Sequence, residues 1–141
     1  MLELRWEIEG EEQLARRLRG IETSCNDFKP EFQKSVDFLR DFFGGKVFDT
    51  RGAVIGEPWK PTGNPWPILE KTGKMRRSFR SKADKMSGAV WNAVDYFKYH
   101  QSNKPRRKLP RRVMMKLDNQ RKNQIVKFFH EGLVKRVRKN V

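Results

Sequence analysis

One apolar stripe constrains the fold of this chain more than any other feature of its sequence. Over residues 28–43 the apolar side chains recur at spacings of four, four, three and four residues. The stripe consists of Phe28, Phe32, Val36, Leu39 and Phe43. Because an α-helix completes a turn about every 3.6 residues, this spacing predicts a helix of about four turns with one buried face.

The residues at either end of the stripe predict where this helix begins and ends. Ser24, Asn26 and Asp27 precede it and are candidate N-caps, because their side chains accept hydrogen bonds from the first helical amides. Pro30 suits the first turn, where a missing N–H costs little. Gly44-Gly45 is a stop signal.

Two further elements are predicted before this helix. Residues 2–9 alternate strictly between apolar and charged side chains, which is typical of a half-buried strand. Residues 11–20 form the second element, where Leu14, Leu18 and Ile21 stand at helical spacing and predict a short amphipathic helix.

The second half of the chain predicts a hairpin and a final helix. Residues 74–82 and 88–94 should pair around the turn Asp84-Lys85-Met86-Ser87. A helical turn over 96–100 and a short strand from Val113 to Leu117 should follow. Asp118 or Asn119 should cap a last helix with one apolar face, formed by Ile125, Phe128, Phe129, Leu133 and Val137.

Residues 46–72 have no regular period. Seven glycines and prolines interrupt them, with Trp59 and Trp66 in between. Burial of a large aromatic side chain stabilises a fold by roughly 1.5–3 kcal/mol, so free disorder is not expected here. The segment predicts an extended arm that packs either on its own domain or on a neighbouring subunit. The fold class expected overall is α+β in a single domain, 1–141, with an N-terminal strand, a long helix, a small antiparallel sheet and a C-terminal helix.

The charge of this 141-residue chain is lopsided. The net charge is +15. Residues 1–70 carry 10 basic and 13 acidic side chains, a net of -3, whereas residues 71–141 carry 22 and 4, a net of +18. The densest run is the predicted loop 102–112, with Lys104, Arg106, Arg107, Lys108, Arg111 and Arg112. A basic half of this kind favours binding to a polyanionic or acidic partner. The alternative is a basic face that contacts only solvent.

Several classes of protein are not expected. The single cysteine, Cys25, cannot form an internal disulfide, and Cys25, His100 and His130 are too far apart in sequence for a zinc module. Neither a signal peptide nor a membrane helix is predicted, so a soluble intracellular protein is expected. No phosphate loop, dinucleotide fingerprint or credible acid–base pair is present. We therefore expect no enzyme activity, cofactor or metal.

The order of the remaining motifs resembles a known family. The residues that carry the resemblance are Phe48, Gly52, Trp59-Lys60-Pro61, Leu69, Thr72-Gly73, Ser78, Trp91-Asn92-Ala93-Val94, Tyr96, Tyr99-His100-Gln101 and Lys108-Leu109-Pro110-Arg111-Arg112. This order is similar to that of the virion morphogenesis (tail completion) proteins of Mu-like tailed bacteriophages. Their pattern runs through W-x-P, L-x-x-T-G, Y-x-x-x-H-Q and P-x-R segments before a C-terminal helix. The resemblance covers roughly residues 40–118.

The resemblance implies a structural virion protein that completes the tail or connects head and tail. It implies a homo-oligomeric ring, with sixfold symmetry expected, that contacts other neck and tail proteins, in the virion and in the host cytoplasm during assembly. The implied motif and subunit-interface residues are Trp59, Pro61, Trp66, Leu69, Thr72, Gly73, Tyr99, His100, Gln101, Pro110 and Arg112. The cations expected to face DNA or an acidic partner are Arg76, Arg77, Lys104, Arg106, Arg107, Lys108 and Arg111.

Three detailed roles accompany this expectation. Thr72-Gly73 would form a tight turn, Pro110 would fix the conformation before Arg111-Arg112, and Tyr99-His100-Gln101 would hold the hairpin against the arm. Replacement of Trp59 or Trp66 by alanine should then weaken assembly more than monomer folding.

The principal alternative is a nucleic-acid-binding module that uses the basic second half without sequence specificity. An RNA-cleaving toxin is a third option, for which the sequence offers no acid–base pair.

Overall fold

The computed structural model describes residues 16, 19–23, 25–101 and 110–139. The predicted strand over 2–9, most of the predicted helix over 11–20 and most of the basic loop 102–112 lie outside the described residues. The described residues have an α+β fold, with two long helices, two short ones, further helical residues at 16 and 19–23, and a two-stranded antiparallel sheet. The predicted fold class is confirmed.

The first long helix, α1, spans Lys29–Gly44 and confirms the helix predicted from the apolar stripe. Asp27 accepts a hydrogen bond through Oδ1 from the amide of Lys29 at 2.9 Å, and Pro30 lies in the first turn. The buried side chains of α1 include Val36, Phe42 and Phe43. The helix therefore ends at the predicted stop and begins just after the predicted caps, with Phe28 at the N-cap position and no side-chain hydrogen bond from it.

The residues after α1 fold back onto the same chain. A one-turn helix, α2, spans Lys46–Asp49, and a 3-10 turn spans Ala53–Ile55. Val47, Phe48, Ile55 and Trp59 are all buried in the main hydrophobic core. The first part of the predicted arm thus packs on its own domain, because its apolar side chains complete the core.

The sheet is the predicted hairpin, with a shorter first strand. Strand β1 spans Phe79–Ala83 and strand β2 spans Gly88–Asn92, with Phe79 opposite Asn92. Residues 76–78 form a 3-10 turn instead of strand. Phe79 and Ala83 are buried at alternate positions of β1, so one face of the hairpin lies on the core, next to α1.

The second half of the chain ends in two helices. Helix α3 spans Phe97–Gln101, as predicted, and α4 spans Asn119–Lys139. Asp118 accepts a hydrogen bond from the amide of Arg121 at 3.2 Å, which confirms the predicted cap. The prediction of a strand over Val113–Leu117 was wrong: residues 110–118 have no regular structure, and side chains bind part of their backbone.

Helix α4 packs along α1 through aromatic rings. Phe129 contacts Phe32 edge to face, with 4.8 Å between ring centroids, and Phe128 contacts Phe38 at 5.7 Å. Near the other end, the guanidinium of Arg136 donates to both carboxylate oxygens of Glu31 at 2.7 and 2.6 Å. No helix in the described ranges is long and apolar enough to cross a membrane.

Candidate functional site

The motif residues lie in separate segments of the chain, and the fold joins several of them in one framework. Trp59 is 6% exposed, and its indole Nε1 donates a hydrogen bond to the carbonyl of Val113 at 2.8 Å. Its ring lies edge to face on Phe48, with 5.1 Å between centroids. The W-x-P segment is thereby fixed to the segment that follows Arg112.

Gly52 allows Trp59 to reach this position. Its φ is +80°, in the left-handed region, and a Cβ there would come within 2.6 Å of the Trp59 ring. The backbone amide of Trp59 also donates a hydrogen bond to the carbonyl of Arg51, the residue before Gly52, at 2.8 Å. A side chain at Gly52 would therefore displace the tryptophan as well as strain the backbone.

Arg112 links two further segments. Its Nε and Nη2 both donate to the carbonyl of Lys60, at 3.2 and 3.0 Å. Its backbone amide donates to the carbonyl of His100 at 2.9 Å. Arg112 is 9% exposed, so this buried arginine joins two segments of the same monomer.

Gln101 completes the framework. Its Nε2 donates to the carbonyl of Met115 at 2.6 Å, and its Oε1 accepts from the amides of Met114 and Met115 at 3.0 and 3.2 Å. The amide side chain thus pairs with the backbone of this segment as a neighbouring strand would. The predicted role of Tyr99-His100-Gln101 needs correction, because the backbone of His100 and the side chain of Gln101 hold residues 112–115 and not the hairpin.

The predicted tight turn at Thr72-Gly73 is present. Gly73 has a φ of +70°, and the hydroxyl of Thr72 accepts from the amide of Lys74 at 3.3 Å. Arg77 donates through Nη2 to the carbonyl of Thr72 at 3.1 Å. The turn aligns Met75 with the core, where it is 4% exposed.

A cavity of about 220 Å³ opens beside the framework. Six of the residues that line it are Trp66, Leu69, Thr72, Tyr96, His100 and Arg112, all from the motif order or its immediate surroundings. The fold therefore gathers residues separated by more than forty positions in sequence around one recess.

His100 is the chief titratable group of this cavity. It is 9% exposed, and its Nδ1 has no hydrogen-bond partner. Burial, and then the charge of Arg112, lower the pKa of His100 below its ordinary value. Burial also lowers the pKa of Arg112. The histidine is consequently neutral at pH 7 beside a buried cation.

The cations predicted to face a partner are partly engaged inside the monomer. Arg76 donates to Glu70 at 2.8 Å and to Asp49 at 2.5 Å, and these hydrogen bonds raise the pKa of Arg76. Arg77 binds the Thr72 carbonyl, and Arg111 lies 4.0 Å from Glu57. The remaining four, Lys104, Arg106, Arg107 and Lys108, lie outside the described residues. The expectation is therefore corrected for Arg76, whose charge is paired.

The expected interface residues include buried, half-buried and exposed side chains. Trp59, His100 and Arg112 are buried in their own chain, so they support the fold and are not a contact surface. Pro61, Thr72 and Tyr99 are exposed. Trp66, Leu69, Gly73, Gln101 and Pro110 are half-buried. Because Trp59 belongs to the monomer core, the expectation that Trp59→Ala acts mainly on assembly is wrong.

The predicted apolar face of α4 is confirmed only in part. Phe128 and Phe129, which belong to that face, make the contacts to α1. Leu133 and Val137 are 40% and 36% exposed, and Val126, which was not part of the predicted face, is 65% exposed. A helical wheel places residues 126, 133 and 137 within one narrow sector, so the exposure of Val126 could not be read from its apolar character alone.

The described residues offer no metal site. Within the parts of the chain that the structure describes, no three His, Cys, Asp or Glu side chains come together as ligands. Cys25 is a free, half-buried thiol.

Comparisons of the chain with family models, with curated proteins and with solved structures each gave no match.

Proposed function

We propose that this chain is a structural virion protein of a tailed bacteriophage, which completes the tail or connects it to the head as a subunit of a homo-oligomeric ring. The observation that carries the proposal is the single framework formed by the motif residues. Trp59, Gln101 and Arg112 bind one another's segments through backbone carbonyls and amides. The order of three of the motifs thus has a physical reason, because the W-x-P, H-Q and P-x-R segments hold one another.

The exposed stripe on α4 supports self-assembly. Val126, Leu133 and Val137 form an apolar strip on a helix whose other exposed side chains are all polar or charged, five of them cationic. Exposed apolar strips rimmed by polar residues often mark protein contacts. In a ring such a strip meets a different surface of the next subunit.

The charge asymmetry supports the same arrangement. A first half with a net charge of -3 and a second half with +18 are complementary when subunits pack head to tail. A two-fold contact through the basic half would instead place like charges together.

Native mass spectrometry and negative-stain imaging of the full chain test the proposal. We expect closed rings, and we expect Val126→Glu to shift the protein to monomers without lowering its melting temperature. The matched control is Ala89→Glu, which adds the same charge at an exposed position opposite Lys82 on the hairpin. Its rings should persist. A protein that stays monomeric at all concentrations would contradict the proposal, and so would equal effects of both variants.

A nucleic-acid-binding module is the second candidate, favoured by the exposed cations of α4. These are Lys122, Lys127, Lys135, Arg138 and Lys139. Such a module should bind duplex DNA with an affinity that falls steeply as salt rises, since each neutralised phosphate releases counterions. Neutralising Lys104, Arg106, Arg107 and Lys108 should flatten that slope. Salt-sensitive duplex binding by a protein that forms no rings would favour this candidate over the connector.

A further inference from the structure

The cavity beside the framework contains a buried positive charge that no carboxylate of the described residues balances. The guanidinium of Arg112 has five N–H donors, of which Nε and one Nη2 N–H bind the Lys60 carbonyl. No carboxylate of the described residues lies within 4.0 Å of it. A buried, unpaired cation is costly, because it has left water without gaining a partner of opposite charge.

The segment that directly precedes Pro110 has no acidic residue to supply this counterion. Residues 102–109, which connect α3 to Pro110 in the sequence, contain four cations and no aspartate or glutamate. Lys71 lines the cavity, with its Nζ 4.8 Å from the centroid of the Trp66 ring. Lys71 thus adds positive charge to that of Arg112.

A second polar group of the cavity has no partner. His100 is nine-tenths buried and its Nδ1 makes no hydrogen bond. Buried polar atoms are nearly always paired in folded proteins, so each exception needs an explanation. His100, with its unpartnered nitrogen, and Arg112, whose charge no described carboxylate balances, line the same recess.

The remaining walls limit the kind of anion that fits. Ile68, Leu69 and Met75 give the cavity an apolar side, Thr62, Asn64 and Thr72 line it with polar groups, and Tyr96, 44% exposed, also lines it. A volume of about 220 Å³ suits one side chain. A phosphate dianion would lose more hydration against apolar walls than a carboxylate on an aliphatic stem.

We propose that this cavity binds the side-chain carboxylate of an acidic residue presented by another polypeptide chain. The carboxylate pairs with Arg112 and His100, and its methylene stem packs on the apolar wall. The inference does not depend on the proposed function, although a neighbouring subunit of a ring is one chain that would present such a residue.

Nuclear magnetic resonance of the full-length protein tests the inference with blocked amino acids. The probe is N-acetyl-glutamate α-amide, and its neutral match is N-acetyl-glutamine α-amide, both at constant ionic strength. We expect saturable shifts of the His100 ring and the Trp66 indole signals with the acidic probe and none with the neutral one.

Three variants locate the binding. Arg112→Lys keeps the charge but loses the planar guanidinium, which can donate two parallel hydrogen bonds to one carboxylate. This variant should weaken binding about tenfold. Lys71→Gln should weaken it about threefold, as expected for an exposed charge. Lys82→Gln removes the same charge from the hairpin, outside the cavity, and should leave the affinity unchanged. The comparison of the two surface lysines remains decisive if Arg112→Lys fails to fold.

Five results would overturn the inference. Four of them are an equal response to both probes, an absence of saturable shifts at His100, tighter binding of inorganic phosphate, and an equal effect of Lys71→Gln and Lys82→Gln. Acetate serves to separate the sources of the carboxylate. It lacks the stem and should bind more weakly than the glutamate probe, and equal affinities would contradict a side chain as the ligand. Probe binding and ring formation are measured separately, so either one can fail while the other succeeds.

Discussion

At the scale of single residues, the candidate site depends on side chains that satisfy backbone groups. Trp59, Gln101 and Arg112 each donate to a carbonyl of a distant segment that belongs to no sheet. An unpaired buried carbonyl costs more than a hydrogen bond gains, so the loss of one such donor leaves a polar atom without a partner. These side chains therefore act as structural donors in the place of a third strand.

Trp59→Phe should lower the free energy of unfolding by about 1–3 kcal/mol, because it leaves the buried Val113 carbonyl without its donor. Urea denaturation measures this loss. The matched control is Trp91→Phe at a tryptophan that is 44% exposed, and it should change stability by less than about 0.5 kcal/mol. Equal losses for the two variants would show that the indole hydrogen bond contributes nothing.

His100 should make stability depend on pH in a defined window. Its pKa is lowered in the folded protein, so between this value and about 6.5 the unfolded chain binds more protons than the folded one. Stability should therefore fall as the pH drops below about 6.5, and the contribution is constant above that value. The slope from one proton is at most about 1.4 kcal/mol per pH unit.

Urea unfolding from pH 7.5 to 5 measures this effect in the wild type and in His100→Gln, which should lose the slope. His130→Gln, at an exposed histidine of α4, is the control and should retain it. Identical profiles for the wild type and His100→Gln would rule out this histidine as the cause.

At the scale of elements, one ion pair fastens α4 to α1. Arg136 and Glu31 form a bidentate pair in which the side chains are 14% and 10% exposed. The pair depends on Gly132, since a Cβ at that position would contact the Glu31 carboxylate. Hydrogen bonds to Glu31 raise the pKa of Arg136, which keeps the charge of this arginine in place. The aromatic contacts of α1 with Phe128 and Phe129 lie along the same interface.

Glu31→Gln should destabilise the protein by about 3 kcal/mol, because it removes the counterion of a buried guanidinium. Thermal or urea unfolding measures the loss. Asp41→Asn breaks the surface pair with Arg40, in which Asp41 is 73% exposed, and should cost less than about 1 kcal/mol. If both variants lost the same amount, burial would not be what makes the Arg136 pair strong.

At the scale of the whole molecule, the distribution of charge separates a basic second half from a weakly acidic first half. Some basic side chains are paired inside the monomer, among them Arg76, Arg121 and Arg136. On the helical wheel of α4, Lys122 lies next to the apolar strip that includes Val126, and the other exposed cations of the helix lie on its other sides. Contacts between copies should therefore combine apolar burial with attraction between unlike charges.

Subunit association should weaken as sodium chloride rises from about 50 to 500 mM, since salt screens attraction between exposed charges. Analytical ultracentrifugation at several salt concentrations measures this change. Association that strengthens with salt would indicate a contact made by apolar burial alone.

Local patterns determined the elements of this fold with few errors. The apolar stripe and its caps define α1, the turn residues 84–87 define the hairpin, and Asp118 defines the beginning of α4. The reason is that helical period, capping and turn chemistry act between residues close in sequence. The strand predicted over 113–117 failed because the backbone partners of a strand are not local.

Contacts between residues far apart in sequence determined the arrangement of the candidate site. The sequence placed Trp59, His100 and Arg112 among functional residues, but only the tertiary structure shows that they are buried and join three segments around one cavity. It also decided that Glu31 meets Arg136 across 105 positions and that Val126 and Leu133 face outward. These facts follow from which surfaces meet, and no spacing along the chain encodes a contact between elements that are free to pack in several ways.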